Sequence, residues 1–336
     1  MKDVRRPIDK TSTRFIDQLR LHIRSRNLAY STEKSYIHWV LRFIRFNNKQ
    51  HPNCLGQQEI ENFLSHLATQ RCCSKGTQRV ALNSLVYLYR EFMQTSIPNL
   101  SYVLSSRERK LPVVFSHQEA LEVIGLLDGK YALVAGLIYG SGLRISEVVK
   151  LRIKDIDFGL NRILVTAGKG NKDRITLLPK SCIPSLKRQI AIVLAVHADD
   201  LAAGKGSVYI PNNKYKSSLY ARDADAWQYL FPASAITIDP ENKIRGRHHI
   251  DETIFRKAIK KVIKKSSVFK DASTHTFRHS FATQSIIGGT NIRVLQELLG
   301  HASISTTQIY LHVAEINSDH IISPLDQIST NSAKNR

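Results

Sequence analysis

Four amphipathic stretches occupy most of the first 93 residues, and they leave little room at this end for anything but a bundle of helices. Apolar side chains recur at three- and four-residue spacing through Phe15–Asn27, Thr32–Asn47, Gln57–Thr69 and Thr77–Met93, the period of a half-buried helix. In the second stretch Tyr36, Val40, Phe43 and Ile44 form the stripe to be buried, while Lys34, His38, Arg42 and Arg45 share a different, basic face. A basic helical face is ordinarily just a solvated one. Here the chain as a whole carries 49 Lys+Arg against 28 Asp+Glu, a formal charge of +21. That excess suits a polyanionic partner, because each neutralised phosphate releases counterions. It makes Lys34, Arg42 and Arg45 candidates for nucleic-acid contact.

The bundle pattern stops at Pro98. The segment Ser105-Ser-Arg-Glu-Arg-Lys-Leu-Pro112 is polar, basic and ends in proline, the composition of an exposed tether. The expected organisation is therefore a helical domain over 1–98, a linker over 99–112 and a second domain over 113–336. In that second domain, helices are expected at Ser116–Leu127 and Tyr131–Tyr139. Two β-like runs follow, Arg162–Ala167 and Arg174–Leu178, and the turn-rich Gly168–Asp173 joins them as a hairpin. A helix runs from Ser181 to about Ala198. Residues 204–250 are rich in Tyr, Pro, Asn, Asp and His with little periodicity, too long for an ordinary connection, and read as a functional insertion. Helix returns over Asp251–Lys265 and 279–287, closed by Gly288-Gly289, and again at Ile292–Leu299 and Ser305–His312. The fold class is mainly α with a small β-sheet.

The chain's 336 residues suffice for two domains with their own cores. The longest apolar stretch, around Tyr131–Tyr139, falls far short of the roughly 20 residues of a spanning helix. The N-terminus lacks the apolar core of a secretory signal. Cys54, Cys72, Cys73 and Cys182 show neither metal spacing nor a disulfide framework. These features predict a cytoplasmic protein with free thiols and no membrane role.

Chemistry concentrates near the C-terminus. His275-Thr-Phe-Arg-His279 is followed by Leu299-Gly-His301 and by Tyr310, and a further arginine, Arg144, lies upstream in Gly140-Ser-Gly-Leu-Arg-Ile-Ser-Glu147. Two arginines to grip a phosphate, histidines for proton traffic and a phenol as nucleophile suit phosphodiester cleavage without a metal. Each residue also has a plainer reading. Arg144 can pair with Glu147 three residues on, His301 can cap a helix, and Tyr310 can be core. His275 and His279 are four apart as in a zinc helix, but Thr276 stands where that motif needs glutamate. No metal is expected. Ile163 and Asp199 stand where a phosphate-binding Gly-rich loop needs glycine, so neither Gly168-Lys169 nor Gly204-Lys205 makes a nucleotide site. No cofactor is expected.

Taken together, Arg144, Arg278-His-Ser-Phe-Ala-Thr283, Leu299-Gly-His301 and Thr306-Thr-Gln-Ile-Tyr310 resemble the motifs of the tyrosine recombinases, in family order and over nearly the whole chain. The resemblance implies a helical core-binding domain followed by a tyrosine recombinase catalytic domain. It also implies a catalytic set of Arg144, Lys169, His275, Arg278, His301 and Tyr310. In it Tyr310 attacks phosphorus, Arg144 and Arg278 hold the non-bridging oxygens, and His301 bonds the phosphate. His275 accepts a proton, and Lys169 in the hairpin protonates the leaving 5′-oxygen, with Lys172 as the neighbouring alternative. The covalent intermediate conserves the bond energy, so rejoining needs no ATP.

The insertion narrows the resemblance. Ile210-Pro-Asn-Asn-Lys-Tyr215, Ala226-Trp-Gln-Tyr-Leu-Phe-Pro232 and Arg245-Gly-Arg-His-His249 are similar to the extra segment of integron integrases, as are Tyr36-Ile-His-Trp-Val40 and Ser323-Pro-Leu325. Lys216 and Gly246 depart from that pattern. The integron resemblance implies partners of two kinds, a folded single-stranded cassette site with extruded bases and a double-stranded integration site. Trp227, Arg247, His248 and His249 become candidate DNA contacts, while the plainer reading has Trp227, Tyr229 and Phe231 anchoring the insert. It further implies a homo-tetramer on DNA, in a bacterial, nucleoid-associated setting. Rival readings are a conventional phage or Xer-like recombinase on paired DNA, a type IB topoisomerase, and a DNA-binding regulator without catalysis.

Overall fold

The computed structural model describes residues 4–97, 99–107, 111–166, 173–210, 219–240 and 243–316. The chain divides into two compact units, Met1–Lys110 with Asp239–Lys243, and Leu111–Ile238 with Ile244–Arg336.

In the first unit four helices, α1 (Phe15–Ser25), α2 (Tyr30–Phe46), α3 (Gln57–Thr69) and α4 (Lys75–Val86), enclose one apolar core. The core is the stripe read from the periodicity, with Val40, Phe43, Phe63 and Leu64 all but fully buried. Each such side chain contributes roughly 1.5–3 kcal/mol through burial. Phe43 and Phe63 meet edge to face at 5.5 Å. Ser74 caps α4 by accepting the Thr77 N–H, and a π-helical turn, Tyr87–Phe92, prolongs it. Residues 99–107 carry no helix or strand and are largely exposed, yet they lie along the first unit. Leu100 and Tyr102 pack on this core, and Gln78 accepts from the Ser105 N–H and donates to the Val103 and Leu64 carbonyls. Composition signalled polarity there, but buried Gln78 supplies the partners that let a polar strand of chain lie down.

The second unit is built round α6 (Gly129–Ser141), apolar on every side, with Leu133, Val134, Leu137 and Ile138 buried. Packed about this core are α5 (His117–Gly125), the single-turn α7 (Ile145–Val148), and a three-stranded antiparallel sheet of β1 (Ile156–Asp157), β2 (Arg162–Val165) and β3 (Arg174–Leu177). Ile163 pairs with Thr176 and Leu164 with Ile175 across β2 and β3. Thr176 donates to the Ser141 carbonyl, tying β3 to the end of α6. The helix expected from Ser181 is α8 (Ile183–Ala202), opened by Pro184 in its first turn.

Residues 204–250 contain more regular structure than their composition suggested. After a short α9 (Leu219–Asp223), β4 (Pro232–Ile238) and β5 (Arg245–His249) form an antiparallel hairpin with a register shift between Pro232 and Ile236. Gly246 has a steric reason, because a Cβ there would overlap the Ser207 carbonyl. Beyond it come α10 (Glu252–Ile263), α11 (Thr274–Ile287), α12 (Ile292–Leu299) and α13 (Ser305–Ile316). α11 starts earlier than its apolar pattern indicated, since Ser273 caps it by accepting the His275 N–H while its own N–H donates to Thr276 Oγ1. Among the described residues no helix is long and apolar enough to cross a membrane.

Candidate active site

Two chain reversals bring the chemistry together. Gly142 ends α6 in the left-handed region at φ 64°, and a Cβ there would overlap the Phe281 ring, so the turn lies directly on α11. Arg144, two residues on, is the N-cap of α7. Its backbone N–H donates to Glu147 Oε2 and its Nη1 to Oε1, both at 2.8 Å. The plainer partner read from the sequence is therefore present. Arg174, at the head of β3, grips the same carboxylate with Nη1 at 2.9 Å and Nη2 at 2.7 Å.

Arg278 projects from α11 into this cluster and is 4 % exposed. Its Nη1 donates to the Gly142 carbonyl, and Nη2 donates to the Leu299 carbonyl at 2.7 Å and meets His301 Nε2 at 3.1 Å. Glu147 Oε2 is 4.0 Å away. α12 ends at Leu299, and Gly300 turns the chain at φ 62°, delivering His301. Thr307 Oγ1 fixes the His301 ring through Nδ1 at 2.9 Å, which leaves Nε2 facing Arg278.

Tyr310 lies on α13, 2 % exposed, in a small apolar cluster with Phe281, Ala282, Leu295 and Leu299. Its hydroxyl is hydrogen-bonded to His279 Nδ1 at 2.8 Å, and its ring stacks on that of His301 with centroids 6.5 Å apart. The expectation of His275 as its proton acceptor meets a different geometry. His275 sits one turn before His279 on α11, ring centroids 6.4 Å apart, and it is His279 that touches the phenol. The sequence motif contains His279 but gives it no role of its own.

The electrostatics follow from burial and crowding. Lost hydration, then the neighbouring Arg144, pulls Arg278 down to about 9, which still leaves it charged at neutral pH. Burial would raise the Glu147 carboxyl, but the Arg174 hydrogen bonds and charge, then Arg144, overcome it and hold the group at about 2. Burial, then His275 and Arg278, brings His279 to about 4, so it is neutral and can accept a hydrogen bond. His275 is also lowered, by lost hydration and then by Arg256, Arg278 and Arg144. Burial raises the Tyr310 phenol, against the opposing pull of Arg278 and Arg144.

Arg144, His275, Arg278, His301 and Tyr310 thus come from four segments into one neighbourhood, His275 and Arg278 sharing α11. Lys169 and its alternative Lys172 lie outside the described residues. Glu147 and Arg174 complete the cluster. Glu147 was visible as a neighbour of Arg144, whereas Arg174 carried no local signal beyond opening a strand.

In the insert, Trp227 is half-buried, with Lys154 Nζ 4.2 Å and Arg152 Cζ 5.4 Å from its ring centroid. Arg152 also donates to the Trp227 and Tyr209 carbonyls and to Tyr229 Oη. His248 is buried, His249 partly so, and both rings meet Tyr229 edge-on at 5.3 Å. Arg247, a candidate DNA contact, is bonded within the protein. Nε and Nη2 bind Asp200 at 2.7 and 2.8 Å, and Nη1 donates to the Ala233 and Ser234 carbonyls, so its guanidinium is engaged by protein. In the first unit Lys34 and Arg45 are exposed, and Arg42 lies 4.8 Å over the Trp39 ring.

Comparison with known proteins places this geometry. The phage integrase family matches residues 115–316, and the phage integrase N-terminal SAM-like domain matches 15–99. An integrase/recombinase of Escherichia coli is 40% identical over 318 residues, covering 94% of each chain. A tyrosine recombinase of Thermosipho africanus is 30% identical, covering 92% of this chain and 96% of its own. Among solved structures, the Tn1549 transposon integrase in complex with transposon right end DNA superposes with a TM-score of 0.59 at 17% identity, covering 95% and 98% of the two chains.

Proposed function

The chain belongs to the phage integrase family and is a tyrosine site-specific recombinase, and from that premise we propose that it is of the integron type, integrating and excising gene cassettes. One observation carries the chemistry: Arg144 and Arg278 flank Glu147, the His301 imidazole meets Arg278, and the Tyr310 ring stacks on that imidazole. In the proposed reaction Tyr310 Oη attacks the scissile phosphorus, a 3′-phosphotyrosine bond forms, and the 5′-oxygen leaves with a proton from Lys169. Arg144, Arg278 and His301 Nε2 meet the non-bridging oxygens, whose charge builds as the fifth oxygen approaches. The Tyr310 proton leaves through the α11 histidines, His279 first and His275 beyond it. Because Tyr310 is buried here, its ring must emerge from the Phe281 and Leu295 cluster to reach DNA.

The integron reading rests on the insert. Its hairpin and the Tyr229–His248–His249 ring cluster give it a framed aromatic surface, and Trp227 offers a face for an unpaired base. Partners in this reading are a folded single-stranded cassette site, a double-stranded integration site and three further copies of the chain in the synaptic complex. A conventional recombinase on paired DNA is the second reading, favoured by the bonds that commit Arg247 and Arg152 to the protein.

Adduct formation tests both. Incubated with a folded bottom-strand cassette site and with its fully paired duplex, the protein should form a denaturant-resistant covalent species mainly on the folded strand. Tyr310→Phe should bind but form none. Equal adducts on both DNAs would support the conventional reading, and an adduct in the variant would remove Tyr310 as nucleophile.

A further inference from the structure

Arg174 makes three side-chain bonds to two different elements, and both elements carry residues assigned to the phosphate. Its Nη1 and Nη2 form a fork on Glu147, the residue that also binds Arg144 through both backbone and side chain. Its Nε donates at 2.9 Å to the Leu298 carbonyl, in the last turn of α12. Its stem lies against Gly300, where an added Cβ would come within 2.8 Å of Arg174 Cδ. The next residue is His301. With its side chain 10% exposed, the guanidinium is largely committed to these contacts.

The arithmetic of acceptors gives this arrangement a purpose. A carboxylate offers about four lone-pair sites. Glu147 has four donors, two from Arg144 and two from Arg174. With Arg174 in place Glu147 is saturated and stays 4.0 Å from Arg278. Without it, two acceptor sites lose their donors, and the carboxylate is free to close on Arg278 and neutralise a guanidinium meant for the phosphate. The Leu298 carbonyl, one of the orphan acceptors at a helix end, would lose its donor as well.

We infer that Arg174 is a positioning residue for strand cleavage: it holds Glu147 so that Arg144 and Arg278 keep their charge for the phosphate, and it clamps the end of α12 so that His301 is presented beside them. The planar fork is what the role requires, and lysine has none. The inference rests on the assignment of Arg144 to the scissile phosphate.

The test is a double-mutant cycle on cleavage, using a nicked oligonucleotide selected from a random-sequence pool by the covalent adduct the unsubstituted protein forms on it. Arg174→Ala should slow adduct formation about a hundredfold, the scale of an ångström-sized misplacement. Arg174→Lys should restore little of that, and in both the DNA dissociation constant should stay within about twofold, as for a residue that acts on the chemistry alone. In the Arg144→Ala background the same Arg174 substitutions should cost several-fold less. Should Arg174→Ala not fold, Arg174→Lys runs the same cycle. Losses that multiply independently in the two backgrounds, full rescue by lysine, or a fall in binding that matches the fall in rate would overturn the inference. Failure of the underlying assignment looks different, because Arg144→Ala alone would then cleave normally.

Discussion

Two glutamates in this chain, Glu33 and Glu147, are each ringed by three arginines, and the two rings are built for opposite ends. Around Glu33, which is fully buried, Arg24 forms a fork at 3.0 Å, Arg20 bonds at 3.1 Å and Arg5 lies at 3.6 Å. Their side chains remain 19–35% exposed, so water carries the excess positive charge. Around Glu147 the guanidiniums of Arg144, Arg174 and Arg278 are only 20%, 10% and 5% exposed. The stoichiometry is the same, one negative group for three positive. The excess charge at Glu147 is held out of water, where it costs free energy until an anion arrives. Each unit also has a histidine–tyrosine pair. His22 meets Tyr87 at 3.0 Å in the first and His279 meets Tyr310 at 2.8 Å in the second. If the Glu147 ring is the reactive one, as proposed, what separates it from the structural knot at Glu33 is desolvation rather than residue type.

That contrast is most directly broken at its arginines. Arg144 has no bond in the cluster other than those to Glu147, so Arg144→Ala should leave thermal unfolding nearly unchanged. Cleavage should fall by about 10²–10³, the scale of one lost transition-state donor, roughly 2.7–4 kcal/mol. Glu33→Gln should do the reverse. It strips the counter-charge from three guanidiniums and should lower stability by less than the roughly 3–5 kcal/mol of a fully buried broken pair, because its arginines reach water. Cleavage per bound DNA should be unchanged. Rate measured beside melting temperature for both variants decides it. If Glu33→Gln lowers the rate at equal occupancy, the two rings do not divide in this way.

A smaller effect is expected in the insert, where the structure supports two uses of one aromatic. Trp227→Ala should weaken binding to a folded strand with extruded bases by roughly 1–3 kcal/mol, one lost stack, and barely alter binding to the paired duplex. Phosphate contacts are common to both DNAs, so salt should weaken both alike. Equal weakening on the two DNAs would assign Trp227, together with Lys154 and Arg152 over its face, to holding the insert in place.

The helices and most of the residues that the structure brings together at the candidate site are legible because both signals are local. Periodicity marks the buried stripe of α2, and short motifs mark Arg144, Arg278, His301 and Tyr310. What could not be read depends on distant partners. Arg174 meets Leu298 across 124 positions and Glu147 across 27, and nothing in a run of Arg-Ile-Thr-Leu distinguishes it from an edge residue of a strand. That His279 rather than His275 meets the phenol is not legible locally, because its tyrosine partner is 31 residues away on another helix. Arg247 is a candidate DNA contact through the insert's resemblance alone, and nothing local in the sequence reveals that Asp200 on α8 binds it. The polar segment after Pro98 looked like a tether because composition does not reveal Gln78 waiting beneath it.

The smallest predicted difference lies in acid and concerns the His22–Tyr87 and His279–Tyr310 pairs. His279 is brought to about 4 by burial, with His275 and Arg278 adding repulsion. A group depressed below its unfolded value, near 6.5 for histidine, contributes stability above that value and loses it as pH falls through the folded one. His279 should therefore cost the fold progressively between about pH 6.5 and pH 4. Allowing for its partial exposure, the loss should be on the order of 1 kcal/mol. His22 is partly buried and lowered too, by lost hydration and then by Arg26, but Glu91 opposes that shift, whereas the charges around His279 only add to its own. The measurement is a denaturant midpoint at pH 7, 5.5 and 4.5 for the unsubstituted chain, His279→Asn and His22→Asn. Asparagine keeps a hydrogen-bonding group near the Nδ1 position and removes the titration. His279→Asn should flatten the acid dependence across this window, whereas His22→Asn should leave its slope nearly as it was. Equal flattening by both would mean that desolvation does not distinguish the two pairs, and the contrast between the units would then rest on the arginine rings alone.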